Sequence, residues 1–281
     1  MTPAKRSIRI KQTSFLVEDD GIAENYSDVT KMFYTLELLK LPINPIIFDV
    51  GANIGIYSLT YATLFRSASV HAFEPLPSTF SVLERNIRLN PKLAKRITPH
   101  EFGFSEKSAI LRLSIPNANQ HRRYTGKLNS GLYSVHSEGD GFAVPAKFLR
   151  LDEFFDSQQL PTLDFLKIDV EGHEFEVLKG AINTINQFRP IIVMEFNELT
   201  RALSRHSVSE FNAFFHQFGY CLYGLEYGWR KTLTPISALS YAMKISDVVC
   251  VYHPECPRIS AQYGSDVVEK CLRLAELCGE T

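Results

Sequence analysis

The chain has 281 residues, of which 45% are hydrophobic and 22% are charged, so it can bury a sizeable core as one large domain. Its 30 basic and 31 acidic residues leave a formal net charge of -1. A protein that neutralises many phosphates needs a surplus of lysine and arginine. The charge balance therefore argues against a nucleic-acid-binding protein.

The beginning of the chain and its cysteines bear on the cellular compartment. The first 20 residues lack the apolar stretch of a signal peptide, and no uncharged run reaches membrane-spanning length. The five cysteines are odd in number, lie in the last quarter of the chain and form no CxxC pair. We therefore expect reduced cysteines, no cysteine metal cluster and a cytoplasmic protein without a membrane span.

The predicted elements follow a mixed segment, residues 1–44, which we interpret as an N-terminal cap. Short apolar runs beyond it predict buried strands. The predicted strands are 46–50, 69–73, 97–102, 163–168, 191–194, 220–225 and 247–252. Stretches with helical spacing lie between them, and this alternation predicts a parallel sheet with helices on both faces.

Three helices are predicted from their spacing and their ends. Ser78 is a plausible N-cap for the first, and apolar residues at helical spacing over 177–185 predict the second. Ser207 and Glu210 form a capping-box pattern for the third, which Gly219 closes.

Two further segments differ from this alternation of strands and helices. Residues 114–142 are rich in Asn, Gly, Ser and Arg without a clear period, and a stretch of that length inside a domain predicts a substrate lid. Residues 256–281 are interpreted as a C-terminal helical extension.

Acidic residues follow four of the predicted strands. They are Asp49, Glu74, Asp169 with its neighbours up to Glu174, and Glu195. In a doubly wound sheet, ligands bind beyond the carboxyl ends of the strands. Because crowded carboxylates are costly without cations or hydrogen-bond donors, their convergence predicts a binding site there.

The loop at 51–55 reads Gly-x-Asn-x-Gly and lacks the GxGxxG pattern of a nicotinamide dinucleotide site. S-adenosylmethionine suits the acidic crevice better, since it carries a sulfonium, an ammonium group and a ribose diol but no phosphate. Glu74, 25 positions after Asp49, is placed to accept hydrogen bonds from two ribose hydroxyls. These residues favour a methyltransferase over a nicotinamide oxidoreductase.

Three blocks, at residues 49–58, 73–75 and 167–174, resemble the hallmark blocks of the FkbM-type methyltransferases. The resemblance implies the class I methyltransferase fold over residues 45–255, a Rossmann-like α/β sheet of seven strands with the last strand antiparallel. Members of the family mostly methylate hydroxyls on natural products, sugars and related small molecules. An S-adenosylmethionine-dependent O-methyltransferase acting on a small molecule or glycan is therefore implied.

The resemblance also implies roles for individual residues in binding the cofactor. Glu74 would hold the ribose, and Asp169 would face the crevice. Phe102 and Gly103 are weaker candidates for the adenine end. The residues that would line the methionine half are Asp49, Gly51, Asn53 and Gly55.

An alcohol acceptor needs a general base within hydrogen-bond reach. The candidates are His173, Glu171 and Asp169, with Glu195 on the opposite wall, and the first two are placed on the first turn of a helix. Asp169, Glu171 and His173 offer ligand atoms for a divalent metal as well. Nothing in their spacing requires a metal, and none is predicted.

Two alternatives remain open. The acceptor of the methyl group could be a protein or a nucleic acid, although the Pro-Pro-aromatic motif of many amino-methyltransferases is absent after the fourth strand. The chain could instead be a catalytically inactive, cofactor-binding partner subunit. The retained 169–173 block argues against that second alternative. The sequence does not define the acceptor, the regiochemistry or the oligomeric state.

Overall fold

The computed structural model describes residues 4–10, 13–19, 41–114, 134–136, 143–227, 231–241 and 247–254. The expected C-terminal extension at 256–281 lies outside these residues, as does most of the expected lid at 114–142. Both remain predictions.

The secondary structure comprises thirteen strands and eight helices among the described residues. The strands, in chain order, are β1 Ala4–Ile10, β2 Thr13–Asp19, β3 Ile46–Val50, β4 Ser69–Phe73, β5 Ile97–His100, β6 Gly103–Phe104, β7 Ala109–Ser114, β8 Ala143–Leu149, β9 Phe165–Ile168, β10 Ile191–Glu195, β11 Tyr220–Tyr227, β12 Lys231–Ile236 and β13 Asp247–Tyr252. The helices are α1 Ile56–Leu64, α2 Pro77–Arg88, α3 Pro91–Ala94, α4 Leu151–Gln158, α5 Glu174–Gly180, α6 Ile182–Phe188, α7 Glu198–Leu203 and α8 Val208–Gln217.

The central sheet has the order β12-β11-β13-β10-β9-β3-β4-β5. Strands β5, β4, β3, β9 and β10 are parallel, and β13 runs antiparallel to both of its neighbours. This confirms the class I methyltransferase fold. The expected count of seven strands was one too low, because β12 pairs antiparallel with β11 and extends that edge.

The parallel strands are buried on both faces, as their continuous apolar runs predict. Since side chains alternate along a strand, Phe48 and Ile168 face one core while Ile47 and Phe165 face the other. Helices α4, α5, α6 and α8 cover the first face, and α1 and α2 cover the second. The parallel sheet with helices on both faces is confirmed.

Two smaller sheets flank the central one. The β1–β2 hairpin, within the expected N-terminal cap, packs Ile8, Ile10, Phe15 and Val17 into the second core. Strands β6, β8 and β7 form a three-stranded sheet, which the irregular composition of 114–142 obscured.

The predicted helix ends agree with the structure in one case and differ in two. The capping box of Ser207 and Glu210 opens α8 as predicted. Helix α2 begins at Pro77 rather than after Ser78, because proline fits the first helical position. The single helix expected over 177–185 is two helices, α5 and α6, interrupted at Ala181.

The cysteines differ from the expectation. Cys250 is free and buried, whereas Cys221 is disulfide-bonded. The expectation of uniformly reduced cysteines was therefore wrong, since their number and spacing do not show which of them the fold brings together. None of the described helices is both long and apolar enough to cross a membrane.

Candidate active site

The candidate site lies where the chain reverses its direction of winding through the sheet, between β3 and β9. From β3 the chain continues outward to β4 and β5, and from β9 it continues the other way to β10. The residues following these parallel strands meet at one edge. Asp49, Glu74, Asp169 and Glu195 all lie at or directly beyond carboxyl ends of these strands, as the sequence predicts.

Asp49 is held at the base of this crevice. It is fully buried, and Ser58 Oγ donates a hydrogen bond of 2.6 Å to its Oδ2. Burial raises the pKa of Asp49, although Lys167 and the Ser58 hydrogen bond oppose the rise. Asp49 Oδ1 is buried and accepts no hydrogen bond from the described residues.

Lys167 is the functional residue for which sequence reasoning assigned no role. It lies opposite Asp49 in the register of β3 and β9, so both side chains are on the same face. Its Nζ donates to Asp169 Oδ2 at 2.9 Å, lies 3.7 Å from Asp49 Oδ1 and lies 4.5 Å from the ring centre of Tyr57. A lysine inside an apolar strand between two acidic neighbours was the available signal.

The loop at 51–55 requires glycine at its first position. Gly51 has a φ of +81°, and a Cβ there would lie 1.8 Å from the Asp169 carbonyl oxygen. The loop therefore packs directly on the chain leaving β9. Gly55 has a φ of +89° and Asn53 a φ of 50°, and the buried Asn53 Oδ1 has no hydrogen-bond partner among the described residues.

Glu74 connects this loop to the end of β4. Its Oε2 accepts a hydrogen bond from the Asn53 backbone amide at 3.0 Å, and its Oε1 accepts one from the Leu76 amide at 2.9 Å. Burial raises the pKa of Glu74 to about 7 against the lowering effect of these two amides. Each carboxylate oxygen still has a free lone pair for a further donor.

Asp169, Glu171 and Glu195 form a group of carboxylates on the wall of the crevice. One oxygen from each lies within 4.8 Å of the others. Burial and the charge of Asp169 raise the pKa values of Glu171 and Glu195 well above their ordinary range. Burial would also raise the pKa of Asp169, but Lys167 and hydrogen bonds from Lys167 and Glu195 bring it below its usual value. Glu195 Oε1 also accepts a hydrogen bond of 2.6 Å from Asn197 Nδ2.

Glu171 differs from the other two carboxylates in its backbone. It has a φ of 55°, a left-handed conformation that costs energy for a residue with a side chain. Its buried Oε2 has no hydrogen-bond partner among the described residues. The expectation that Glu171 lies on the first turn of a helix was wrong, since α5 begins at Glu174.

The structure does not place His173 with these carboxylates. His173 is the residue before α5, and its ring nitrogens contact His136 Nε2 at 2.9 Å and Ser105 Oγ at 3.0 Å. Burial lowers its pKa to about 4. The metal-ligand set considered from the sequence is therefore divided, because Glu195 takes the place of His173 beside Asp169 and Glu171.

Phe102 and Gly103 follow β5, as predicted for the adenine end. Phe102 is half-buried and packs on Phe73 with ring centres 5.6 Å apart. Gly103 belongs to β6, and a Cβ there would lie 2.6 Å from the Phe148 ring. Close packing by itself explains why this position is a glycine.

A small recess that sequence reasoning missed opens beside Glu195, and its enclosed volume is about 10 Å³. Its lining residues come from α5, β10, α7, α8 and the loops between them, so no single sequence block indicates it. The residues are Glu174, Glu195, Phe196, Thr200, Arg201, Ser204, His206, Val208 and Phe211.

A doubly wound sheet with an antiparallel β13 and an acidic crevice at the carboxyl ends of its parallel strands defines a class I methyltransferase fold. A family model described as the methyltransferase FkbM domain matches residues 49–222. The chain belongs to this family.

Several curated proteins are similar to the chain. Methyltransferase sdnD of Sordaria araneosa is 34% identical over 165 residues, which cover 52% of this chain and 63% of that protein. Hexuronic acid methyltransferase AglP of Haloferax volcanii is 31% identical over 170 residues, covering 58% and 63%. The chain thus spans less than two thirds of the length of these relatives.

Among solved structures, the methyltransferase FkbM from Methylobacillus flagellatus aligns over 84% of this chain and 56% of its own. The TM-score is 0.49 and the identity is 17%.

Proposed function

We propose that the chain is an S-adenosylmethionine-dependent O-methyltransferase that acts on a hydroxyl group of a small molecule or sugar. The observation that carries the proposal is the acidic crevice, in which Asp49, Glu74 and the Asp169 group surround the loop at 51–55. The family to which the chain belongs supplies the reaction class, since it is a family of methyltransferases.

The residues of the crevice fit the cofactor by their chemistry. When bound, S-adenosylmethionine supplies an electrophilic methyl carbon on a sulfonium, together with an ammonium group and a ribose diol as donors. The buried oxygens Asp49 Oδ1 and Asn53 Oδ1 need donors. Glu74 can accept from the ribose hydroxyls with the lone pairs that its two backbone amides leave free.

Glu171 is the residue we assign as general base. Its Oε2 has no hydrogen-bond partner among the described residues, and in its ionised form a carboxylate with a raised pKa is a stronger base than an ordinary one. Asp169 is engaged by Lys167, and Glu195 accepts a hydrogen bond from Asn197, so we assign both to positioning. His173 is tied to His136 and Ser105 and is not assigned this role.

The proton transfer accompanies an in-line displacement. The bound cofactor would supply the methyl group, and its sulfur would leave with the electron pair of the broken carbon–sulfur bond. The hydroxyl proton passes to Glu171 Oε2. The protein mainly contributes orientation, which is the dominant requirement of such a displacement.

The names of two relatives support the proposed acceptor class. One relative is named a hexuronic acid methyltransferase and another a 31-O-demethyl-FK506 methyltransferase, from Streptomyces tacrolimicus and 26% identical. The recess offers Thr200, Ser204 and Arg201 as polar contacts beside apolar Phe196 and Phe211. The enclosed space is that of about one water molecule, so the recess would take a single hydroxyl group of the acceptor rather than a whole sugar.

The proposal is tested by methyl transfer from radiolabelled S-adenosylmethionine to a panel of uronic acids, neutral sugars and hydroxylated small molecules. We expect label in at least one acceptor, and a fall in kcat of about 100-fold or more for Glu171→Gln with an unchanged Kd for the cofactor. Glu198→Gln, an exposed glutamate on α7, is the matched control. Full activity of Glu171→Gln would exclude Glu171 as the base, and no transfer to any acceptor would count against the acceptor class.

A further inference from the structure

A second cluster of ligand-type side chains lies outside the carboxylate group of the candidate active site. His136, His173 and Glu176 each offer one atom, and these atoms lie within 4.8 Å of one another. His173 and Glu176 come from the beginning of α5, whereas His136 comes from the described piece of the 114–142 segment. Residues far apart in the sequence therefore converge on one point.

The spacing of the three side chains matches that of ligands around a small cation. His136 Nε2 lies 2.9 Å from His173 Nδ1 and 3.5 Å from Glu176 Oε1, and His173 Nδ1 lies 3.6 Å from Glu176 Oε2. A tetrahedral zinc ion with bonds of about 2.0–2.1 Å separates its ligand atoms by about 3.3 Å. The observed distances fall on both sides of that value.

Outer contacts hold two histidines in orientations suited to metal binding. His173 directs its other nitrogen, Nε2, to Ser105 Oγ at 3.0 Å. His206 Nε2 lies 3.4 Å from Glu176 Oε1, and its Nδ1 contacts Glu210 Oε1 at 2.8 Å. Metal-binding histidines commonly use their second nitrogen in this way. His206 is thus placed as an outer contact of the same carboxylate.

The carboxylate at the centre of this cluster lacks a full set of partners. Glu176 is only 8% exposed, and its buried Oε2 accepts no hydrogen bond from the described residues. A buried carboxylate oxygen without a donor is costly. A cation between Glu176 and the two histidines would satisfy it.

We propose that His136, His173 and Glu176 bind a divalent transition-metal ion of the zinc class, with the fourth position left to water. Two imidazoles and one carboxylate favour zinc and its neighbours over magnesium or calcium, which prefer oxygen ligands. The metal fastens Ser134–His136 to the beginning of α5.

This site goes beyond the methyltransferase function and does not depend on it. The site nevertheless contacts the candidate active site through Ser134. Ser134 Oγ donates a hydrogen bond of 2.8 Å to the Glu171 carbonyl oxygen, so the fastened piece contacts the residue assigned as general base.

The test is a calorimetric titration of the chelator-treated full chain with Zn²⁺, paired with a Co²⁺ absorption spectrum. We expect one ion per chain, and visible Co²⁺ bands of a tetrahedral site without the near-ultraviolet band that thiolate ligands give. His136→Ala and Glu176→Gln should each weaken binding at least about tenfold. His216→Ala, an exposed histidine on α8, should bind as the wild type does.

Circular dichroism shows whether each variant is folded, so that a loss of binding is read only from folded protein. Titration with S-adenosylmethionine separates this proposal from the proposed function, because cofactor binding does not require the metal ligands. A wild type that binds no Zn²⁺ would overturn the proposal. So would folded His136→Ala and Glu176→Gln variants that both bind like the wild type, since the cluster would then be a hydrogen-bonded network only.

Discussion

At the residue scale, Lys167 is the side chain on which the candidate active site depends most. It is buried between Asp49 and Asp169 and supplies the only positive charge that contacts both of them among the described residues. Removing one partner from a buried charged group leaves the others uncompensated, which costs more than the pair contributes. The acidic crevice is therefore stable only with this lysine in place.

The substitution Lys167→Met tests this dependence. We expect the free energy of unfolding at pH 8 to fall by about 3 kcal/mol, because the buried Asp49 and the partly exposed Asp169 would remain without a counter-charge. Urea denaturation measures the change, and Lys92→Met, an exposed lysine in α3, is the control. A loss no larger than that of the control would mean that the two carboxylates are neutral in the folded protein.

A second residue-scale prediction concerns the buried histidines of β4 and β5. His71 Nδ1 lies 3.1 Å from His100 Nε2, and burial lowers the pKa of each to about 4. Below pH 6.5 the two histidines bind protons in the unfolded chain but stay neutral in the folded protein. The free energy of unfolding therefore decreases as the pH falls from 6.5 towards 4.

His71→Gln removes part of that pH dependence. Between pH 6 and pH 5 the wild type should lose up to about 1.4 kcal/mol of unfolding free energy relative to the variant. Denaturation curves at several pH values measure the difference, with exposed His216→Gln as the control. If wild type and His71→Gln differ by the same amount at every pH, the pair is not titrating as described.

At the scale of elements, two asparagines join the β1–β2 hairpin to the domain. Asn86 lies in α2, and Asn90 lies just after it. Asn90 Oδ1 accepts from the Leu16 amide at 2.8 Å, and its Nδ2 donates to the Leu16 carbonyl at 2.7 Å. Asn86 Oδ1 accepts from the Glu18 amide at 2.7 Å. The side-chain amides thus satisfy backbone groups at the edge of β2 that would otherwise be unpaired.

Asn90→Ala should loosen the hairpin without unfolding the sheet. We expect a loss of about 1–3 kcal/mol, because the Leu16 amide and carbonyl lose both partners. Hydrogen exchange at Leu16 should quicken, while exchange in β3 and β9 should follow only the change in global stability. The matched control is Asn186→Ala, an exposed position in α6. Unchanged exchange at Leu16 would show that apolar packing alone holds the hairpin.

The same elements show what the sequence could predict. Buried strands such as β3 and the capping box of α8 were predicted because their signals are local: an apolar run, or a side chain three residues from its partner. The hairpin was missed because Ile8 and Phe15 lie among charged and polar residues, and their burial depends on docking against α2. Local patterns do not contain that contact.

The candidate site was predicted to a similar extent. Positions at strand ends, such as Asp49 and Glu195, follow from the sheet topology that the sequence indicates. The direction of His173 depends on two positive φ angles just before it, at Glu171 and Gly172, which turn the chain before α5. The sequence predicted a helix already formed there, and so it placed His173 with the wrong group.

At the scale of the whole molecule, the sheet divides the chain into two cores and leaves one edge for chemistry. The acidic residues at that edge come from four strands, and the hydrogen bond from the Asn53 amide to Glu74 joins the 51–55 loop to the end of β4. The arrangement is costly without a ligand rich in donors and positive charge. Cofactor binding is therefore the property on which the proposed function rests.

The most direct measurement is a calorimetric titration of the wild type, Glu74→Gln and Glu84→Gln with S-adenosylmethionine and, separately, with NAD. We expect the wild type and Glu84→Gln, an outward-facing glutamate on α2, to bind S-adenosylmethionine but not NAD. Glu74→Gln should lose about 1–3 kcal/mol of binding free energy, roughly 5- to 150-fold in Kd. Failure of the wild type to bind S-adenosylmethionine, or equal binding by Glu74→Gln, would contradict the proposed site.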